Sequence, residues 1–172
     1  MRMDEVWPLS RRAGRRPPAV LLVVLLALTA TAGRVRAADI TATGIWSETI
    51  DASDLTAGPG SELQSMYESP LGTLSLAIAN TAGASWQVTV RRSDVYWWPD
   101  FILEVQRTSA GTGTGTASGG DSYVIVGAAD NPFFTGTGDV SGVEVQVRLS
   151  GVSLSVPPDT YTTALVYTVV AL

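Results

Sequence analysis

After residue 37, apolar side chains recur at every second position in short runs, and this period of two is that of a β-strand. Eight runs follow the pattern: 40–50, 74–78, 86–90, 101–107, 122–128, 143–149, 152–156 and 161–171. Clusters of Gly, Pro, Asp and Asn separate the runs, and none has a convincing helical period. The pattern predicts an all-β fold, an antiparallel Ig-like β-sandwich of about seven to nine strands.

The same alternation predicts which side chains face the core. These are Leu74, Leu76, Ile78, Trp86, Val88, Val90, Val143, Val145, Val147, Leu149, Leu165, Tyr167 and Val169. Burying each of the larger ones contributes roughly 1.5–3 kcal/mol. Because the chain has no cysteine, this burial must hold the fold without disulfides.

The first 37 residues predict an export signal. Five arginines lie within residues 2–16, an unbroken apolar run follows at 19–28, and small residues come next. This apolar run is shorter than the roughly 20 residues that a membrane-spanning helix needs. We expect cleavage after Ala32 or Ala37, a secreted or cell-surface location, no membrane attachment after cleavage, and one domain at 38–172.

Two segments lie outside the strand pattern. Residues 51–70 are polar and punctuated by Gly and Pro, and we expect an ordered surface connection with a helical turn around residues 62–67. Residues 108–120 consist almost entirely of Gly, Thr and Ser. Because this segment has so few apolar side chains to bury, it is interpreted as a flexible hairpin tip.

The residue types after position 37 exclude most catalytic chemistry. The absence of Cys, His and Lys removes Ser-His and Cys-His nucleophile pairs, Schiff bases and the usual zinc ligands. Four arginines against 14 acidic residues leave a net charge of −10, which repels nucleic acids and anionic membranes. The sequence therefore predicts a protein that is not an enzyme and has no cofactor and no nucleic-acid partner.

Three aspartates lie in or beside turns, where carboxylates can either bind Ca²⁺ or cap the loop. They are Asp121, Asp130 and Asp139. They do not have the contiguous Asp-x-Asp-x-Asp spacing of a calcium loop. Loop capping is therefore the favoured interpretation, and no metal site is predicted.

The end of the chain resembles known secreted modules. Residues 156–170, Val-Pro-Pro-Asp-Thr-Tyr-Thr-Thr-Ala-Leu-Val-Tyr-Thr-Val-Val, resemble the closing strand of bacterial Ig-like modules of the spore-coat-protein-U and fimbrial-subunit type. Fimbrial subunits usually carry a disulfide, which this chain cannot form. The resemblance implies an exported β-sandwich that is displayed on, or assembled at, the cell surface.

A weaker resemblance is to WxL surface domains. The spacing of Tyr161, Leu165 and Tyr167 is similar to the distal motif of that family, and Trp86 with Val88 is similar to its Trp-x-Leu. This chain has Val88 where the family has Leu and Tyr167 where it has Trp. The peptidoglycan attachment that the family implies is therefore not carried over.

Residues 40–50 follow the expected cleavage site and carry apolar side chains at Ile40, Ile45, Trp46 and Ile50. A sheet edge with unpaired N–H and C=O groups is a template for a strand from another molecule. One hypothesis is therefore a surface structural or adhesive subunit that associates with itself by donor-strand exchange, or with other surface proteins. The alternative is that residues 40–50 pair with their own sheet and close the monomer.

Residues 96–101, Tyr-Trp-Trp-Pro-Asp-Phe, form the densest aromatic cluster. Consecutive aromatic residues in a strand cannot all face one core, so at least one of Trp97 and Trp98 should lie near the surface. Exposed tryptophan stacks on sugar rings, and Asp94 and Asp100 are placed to accept hydrogen bonds from hydroxyls. The second hypothesis is therefore a non-catalytic module that binds polysaccharide or cell wall. The alternative is that the aromatic residues cap one end of the sandwich.

Overall fold

The computed structural model describes residues 38–172, so the predicted signal peptide lies outside the described residues. This part of the chain has eleven strands: β1 (Asp39–Thr43), β2 (Met66–Glu68), β3 (Leu74–Ala79), β4 (Ser85–Tyr96), β5 (Ile102–Arg107), β6 (Thr112–Gly113), β7 (Thr116–Ser118), β8 (Val124–Ile125), β9 (Asn131–Thr137), β10 (Val140–Ser150) and β11 (Thr162–Ala171). One 3-10 turn at Ala52–Asp54 completes the regular structure of these residues.

The strands form two antiparallel sheets that pack together. The first has the order β1-β3-β10-β5-β8, and β2 and β6 also pair with β10. The second has the order β11-β4-β9-β7. The predicted all-β antiparallel sandwich is confirmed. The number of strands exceeds the seven to nine predicted because β2, β6, β7 and β8 are only two or three residues long.

The core lies between the two sheets and is richest in valine. Of the thirteen side chains predicted to face inward, eight are buried, and Leu74, Leu149, Leu165, Tyr167 and Val169 are half-buried. The half-buried residues lie mainly on β11, which pairs with only one strand among residues 38–172. Valine favours this environment because its branched side chain packs well on a pleated surface.

Trp86 is the largest fully buried side chain, with 1% of its surface exposed. Its indole N–H donates a hydrogen bond of 2.8 Å to the carbonyl of Gly138. The edge of its ring meets Phe134 at a centroid distance of 5.8 Å. The indole lies directly over Gly136, where a methyl group would overlap its ring. The packing of Trp86 therefore depends on a glycine in β9.

Four local predictions are wrong. Residues 40–50 do not form one strand, because β1 ends at Thr43 and Gly44 has a φ of +108°. Residues 62–67 do not form a helical turn, and the 3-10 turn lies earlier, where Asp51 caps it by accepting a hydrogen bond from the N–H of Ser53. Residues 122–128 contain only the two-residue β8. Residues 152–156 contain no strand.

The Gly/Thr/Ser segment is also different from its prediction. Residues 108–120 do not form a flexible hairpin tip. They cross from the first sheet, in which β6 pairs with β10, to the second sheet, in which β7 pairs with β9. At Gly113 and Gly115 the backbone lies so close to the carbonyls of Asp139 and Thr137 that a side chain would overlap them. The glycines therefore allow close backbone packing.

We predict that Gly136→Ala destabilises the fold by about 1–3 kcal/mol, because the new methyl group overpacks the core against Trp86. Gly127→Ala is the matched control, since a methyl group there meets nothing within 4 Å. Urea unfolding followed by tryptophan fluorescence would measure both changes. Equal unfolding midpoints for the two variants would contradict the conclusion that Trp86 packs against Gly136 with no room for a side chain.

Candidate functional site

The aromatic cluster predicted from residues 96–101 lies at one end of the sandwich and includes a residue from far along the chain. The ring of Tyr161 stacks on Tyr96 at 5.1 Å with an interplanar angle of 10°. Phe101 meets Tyr161 edge-on at 5.0 Å, and Trp98 meets it at 6.3 Å. We call the set Tyr96, Trp98, Phe101 and Tyr161 the aromatic end. Tyr161 is its centre.

Strand pairing explains why these residues meet. β4 ends at Tyr96, and the first residue of β11, Thr162, is its Cα partner. The segment before β11 therefore arrives beside the loop that follows β4. The hydroxyl of Tyr161 donates a hydrogen bond of 2.8 Å to the carbonyl of Pro157, which orients the ring. Burial, followed by the charges on Tyr96 and Asp159, raises the pKa of Tyr161.

The two adjacent tryptophans have different surroundings, although both are half-buried. Trp97 packs against the core, meets Phe101 edge-on at 5.4 Å and donates its indole N–H to the carbonyl of Phe101 at 3.3 Å. The guanidinium of Arg92 lies 5.2 Å from the centre of the Trp97 ring. Trp98 instead packs on Tyr161, and its indole nitrogen is buried without a hydrogen-bond partner. Trp97 therefore supports the loop, and Trp98 belongs to the aromatic end.

The two acidic residues predicted beside the tryptophans also differ. Asp94 lies on β4, where it accepts a hydrogen bond of 2.7 Å from the hydroxyl of Thr163 and pairs with Arg92 at 3.5 Å. Asp100 is exposed in the loop between β4 and β5. Asp94 is thus occupied in joining β4 to β11. Both carboxylates are exposed, and Asp100 is the one that lies in the loop of the aromatic end.

The proposed donor segment lies against its own sandwich. β1 pairs antiparallel with β3 over its whole length. Ile40 and Trp46 are half-buried against the core, Ile50 is half-buried, and Ile45 is 88% exposed. β1 also lies alongside β11, the edge strand of the other sheet. In this structure, residues 38–50 close one side of the monomer.

The residues that resemble the WxL motifs are mostly core residues. Trp86 and Val88 are buried, and Leu165 and Tyr167 are half-buried against the same cluster. The hydroxyl of Tyr167 is buried without a hydrogen-bond partner, and burial raises its pKa. Tyr161 lies outside this cluster, at the aromatic end. The residues that resemble the WxL motifs therefore lie in two different packing environments, the core and the aromatic end.

Two of the three turn aspartates, Asp130 and Asp139, bind neighbouring protein groups through their carboxylates, and the backbone carbonyl of Asp121 accepts a hydrogen bond from the Gln106 side chain. Asp139 accepts hydrogen bonds from the hydroxyl and the backbone N–H of Thr81, at 2.5 and 3.0 Å, and these bonds lower its pKa. Asp130 pairs with Arg91 at 3.6 Å. Among residues 38–172, no group of three acidic side chains is arranged to hold a metal ion.

No family model, curated protein or solved structure matches this chain. The resemblance to coat, fimbrial and WxL modules therefore stays a prediction. Within residues 38–172, no helix is long and apolar enough to cross a membrane.

A polar cluster on the first sheet was not predicted from the sequence. The guanidinium of Arg148 lies 3.8 Å from the centre of the Tyr123 ring and donates a 2.8 Å hydrogen bond to Glu104. The hydroxyl of Tyr123 donates a 2.9 Å hydrogen bond to Glu68. Arg148 is the Cα partner of both glutamates, on opposite sides of β10. The sequence signal was limited to the polar positions of Glu104 and Arg148 on predicted strands. Glu68 lies in the segment predicted as a surface connection, and nothing in the predicted strand 122–128 singled out Tyr123.

We predict that Tyr123→Phe lowers the free energy of unfolding by about 0.5–1.5 kcal/mol at neutral pH, because Glu68 loses its hydrogen bond. Burial, followed by the bond to Glu68 and its charge, raises the pKa of Tyr123 to about 12. The neutral phenol is thus favoured in the folded state. Its contribution is complete below about pH 10, the unfolded pKa, and is lost as the pH rises towards 12.

Urea unfolding between pH 7 and 11 would test this prediction, together with absorbance titration of the tyrosines. Glu68→Gln is the matched variant, because it keeps an acceptor and removes the charge that raises the pKa of Tyr123. We expect Glu68→Gln to move the ionisation of Tyr123 towards lower pH. Equal stability of the wild type and Tyr123→Phe at every pH would contradict the prediction.

Proposed function

We propose that the protein is a secreted, non-catalytic structural or adhesive subunit of the cell surface, and that copies assemble by exchanging β1. The observation that carries the proposal is the position of β1. It is an edge strand with β3 as its only paired neighbour among the described residues. The residues that follow it, 44–50, have no regular structure and form a connection that can open.

The energetics of β1 favour exchange. Ile40 is its one half-buried side chain, and the other four residues of the strand are exposed. Burial of one aliphatic side chain is worth roughly 1.5–3 kcal/mol, which is a small part of the burial in this core. A β1 from a second copy would make the same contacts with β3. Closed and exchanged forms would then differ mainly through the connection and the protein concentration.

Release of β1 would expose the edge of β3, with which a strand from another copy could pair. The edge of β3 would present unpaired backbone N–H and C=O groups, next to the buried side chains of Leu76 and Ile78. Trp46 would leave the core at the same time. An incoming strand with apolar side chains at the positions of Ile40 and Trp46 would pair with the backbone of β3 and also fill the core. Residues 38–50 of another copy carry this pattern.

The composition supports a role without catalysis. Residues 38–172 have no Cys, His or Lys, and no metal-binding group of acidic residues was found among them. An extracellular location is supported by the predicted export signal. The net charge of −10 keeps separate copies soluble until specific edges meet.

We predict that a chain beginning at residue 51 binds a synthetic peptide of residues 38–50. The peptide would restore the β1–β3 pairing and return Ile40 and Trp46 to the core. A peptide with Ile40→Asp and Trp46→Ala should bind at least about tenfold more weakly, because it loses both apolar contacts. Ile45→Ala is the matched control, since Ile45 is exposed. Fluorescence anisotropy of a labelled peptide would measure binding.

Intact chains provide the second half of this test. Light scattering and negative-stain imaging should show concentration-dependent assemblies larger than a dimer for the protein, and none of this size for the chain that lacks residues 38–50. Unchanged particle size after the deletion would sink the exchange hypothesis. Equal binding of the wild-type and doubly substituted peptides would show that residues 38–50 are not recognised as a strand.

A second candidate function is polysaccharide binding at the aromatic end. It is favoured by the stacked pair of Tyr96 and Tyr161, because Tyr96 is 48% exposed and Trp98 lies beside it. Aromatic faces stack on the apolar faces of sugar rings. Asp100, exposed in the same loop, supplies an acceptor for sugar hydroxyls. The buried indole nitrogen of Trp98 leaves its ring, rather than its N–H, as the contact.

We predict that Tyr96→Ala and Trp98→Ala each weaken retention on insoluble polysaccharide or cell-wall material by about 2- to 10-fold, the loss of one aromatic contact. Val170→Ala is the control, because Val170 has a similar exposure and lies at the opposite end of β11. Pull-down with increasing amounts of polymer would measure retention. No retention of the wild type, or equal retention of all variants, would reject this function for the materials used.

A further inference from the structure

β11 is the longest edge strand of the described residues. It has ten residues, whereas the other edge strands, β1, β7 and β8, have five, three and two. Among residues 38–172, only β4 pairs with it. Every second residue of β11 therefore has backbone groups that face away from the sheet.

The register of β11 shows which backbone groups these are. It is unbroken from Thr163, opposite Asp94, to Ala171, opposite Trp86. The next residue, Leu172, donates its N–H to the carbonyl of Ser85 at 3.1 Å. In an antiparallel pair, hydrogen-bonded and non-hydrogen-bonded positions alternate. The even-numbered residues of β11 thus bond to β4, and the odd-numbered residues 163–171 direct their N–H and C=O groups outward.

The pairing of β4 with β9, on the side of β4 away from β11, gives the same assignment of odd and even residues. The N–H of Gly138 donates to the carbonyl of Ala84 at 3.1 Å, so the even-numbered residues of β4 bond to β9. The odd-numbered residues of β4 are left to bond to β11. They lie opposite the even-numbered residues of β11, since Val170 faces Gln87. Two independent hydrogen bonds therefore assign five outward-facing residues to the edge of β11.

The residues of this edge strand lack the usual protecting charges and prolines, although β1 lies alongside it. Edge strands of natural proteins commonly carry charges, prolines or bulges that block pairing with another molecule. Thr162–Ala171 contains no charged residue and no proline, and its register shift lies at one end, between Thr162 and Thr163. By contrast, β1 begins with Asp39. In a chain whose net charge is −10 after residue 37, β11 is a neutral strip at which like-charged copies can meet.

We propose that β11 pairs antiparallel with β11 of a second copy, about a two-fold axis through Tyr167. In this register Thr163 lies opposite Ala171 of the second copy, and Leu165 lies opposite Val169. All five outward-facing residues of each strand then form hydrogen-bonded pairs, with about ten bonds between the chains. Two copies of the four-stranded sheet become one sheet of eight strands.

The proposed register also places neutral side chains together. Ala164 lies beside Val170 of the second copy, and Val166 lies beside Thr168, all on the solvent face of the joined sheet. A second copy is the occupant because it has the same length, carries no charge in this strand and satisfies every outward group at one register. The β1 strand of another copy covers only half of this edge. The proposal goes beyond the exchange of β1, because it uses a different edge.

A charge-pairing experiment tests the proposal. Ala164→Lys with Val170→Lys puts two like-charge contacts into the dimer, and the residues opposite them on β4, Ser93 and Gln87, are neutral. We expect this variant to dimerise at least about tenfold more weakly than the wild type in sedimentation equilibrium. Ala164→Glu with Val170→Glu should behave in the same way. An equimolar mixture of the two variants should recover the dimer as a heterodimer.

Circular dichroism and urea unfolding would establish that each variant is folded. A wild-type protein that is monomeric at millimolar concentration would overturn the proposal, and so would a dimer that both variants leave unchanged. Wild-type protein that binds a different added protein but does not associate with itself would also overturn the proposal. Deleting residues 38–50 should leave the β11 dimer intact, which distinguishes this proposal from failure of β1 exchange.

Cysteine crosslinking tests the register. The natural chain has no cysteine, so each introduced thiol is the only one in its chain. Oxidation of a mixture of Val166→Cys and Thr168→Cys should give mainly the mixed disulfide, since these positions are directly opposed in the proposed dimer. A mixture of Val166→Cys and Val170→Cys is the control, because these positions are not opposed. Equal yields from the two mixtures would overturn the register.

Discussion

Burial of β4 and β10 in one hydrophobic cluster is the interaction on which the rest of this structure depends. Val88 and Val90 on β4, and Val143 and Val145 on β10, have no exposed surface. The chain has no disulfide to share this load. Each remaining strand is positioned through these two or through a strand paired with them. The fold is therefore a hydrophobic cluster shared by two central strands, extended sideways by backbone hydrogen bonds.

The same architecture determines where strands would pair in the proposed assemblies. Backbone groups in the centre of each sheet are already bonded, so free groups remain at the edges. On one side of the sandwich, β1 and β11 lie alongside each other but belong to different sheets. β1 is short and contributes little burial, which suits a strand that leaves. β11 carries half-buried core side chains, which suits a strand that stays and accepts a neighbour.

The aromatic end shows how much of a site the sequence reveals. The run at residues 96–101 was predicted as a cluster, and the need for one tryptophan near the surface follows from strand alternation. The division of roles between Trp97 and Trp98 was not predictable, because it depends on Arg92 and Tyr161. The same is true of the Tyr123 cluster, whose members come from four strands or loops. Such contacts join residues far apart in the sequence.

The sequence alone determined the all-β class, most of the strands and the side that each strand buries, because a period of two is a local property of the chain. Only the tertiary structure decided the fate of the segments rich in Gly and Pro. β9 carries Pro132 beside a shift in register and Gly136 beneath Trp86. Its sequence therefore lacks the alternating pattern that predicts a strand. Residues 108–120 are ordered by strands on both sheets. In each case the partner that makes the residue suitable is distant in sequence and close only in the folded protein.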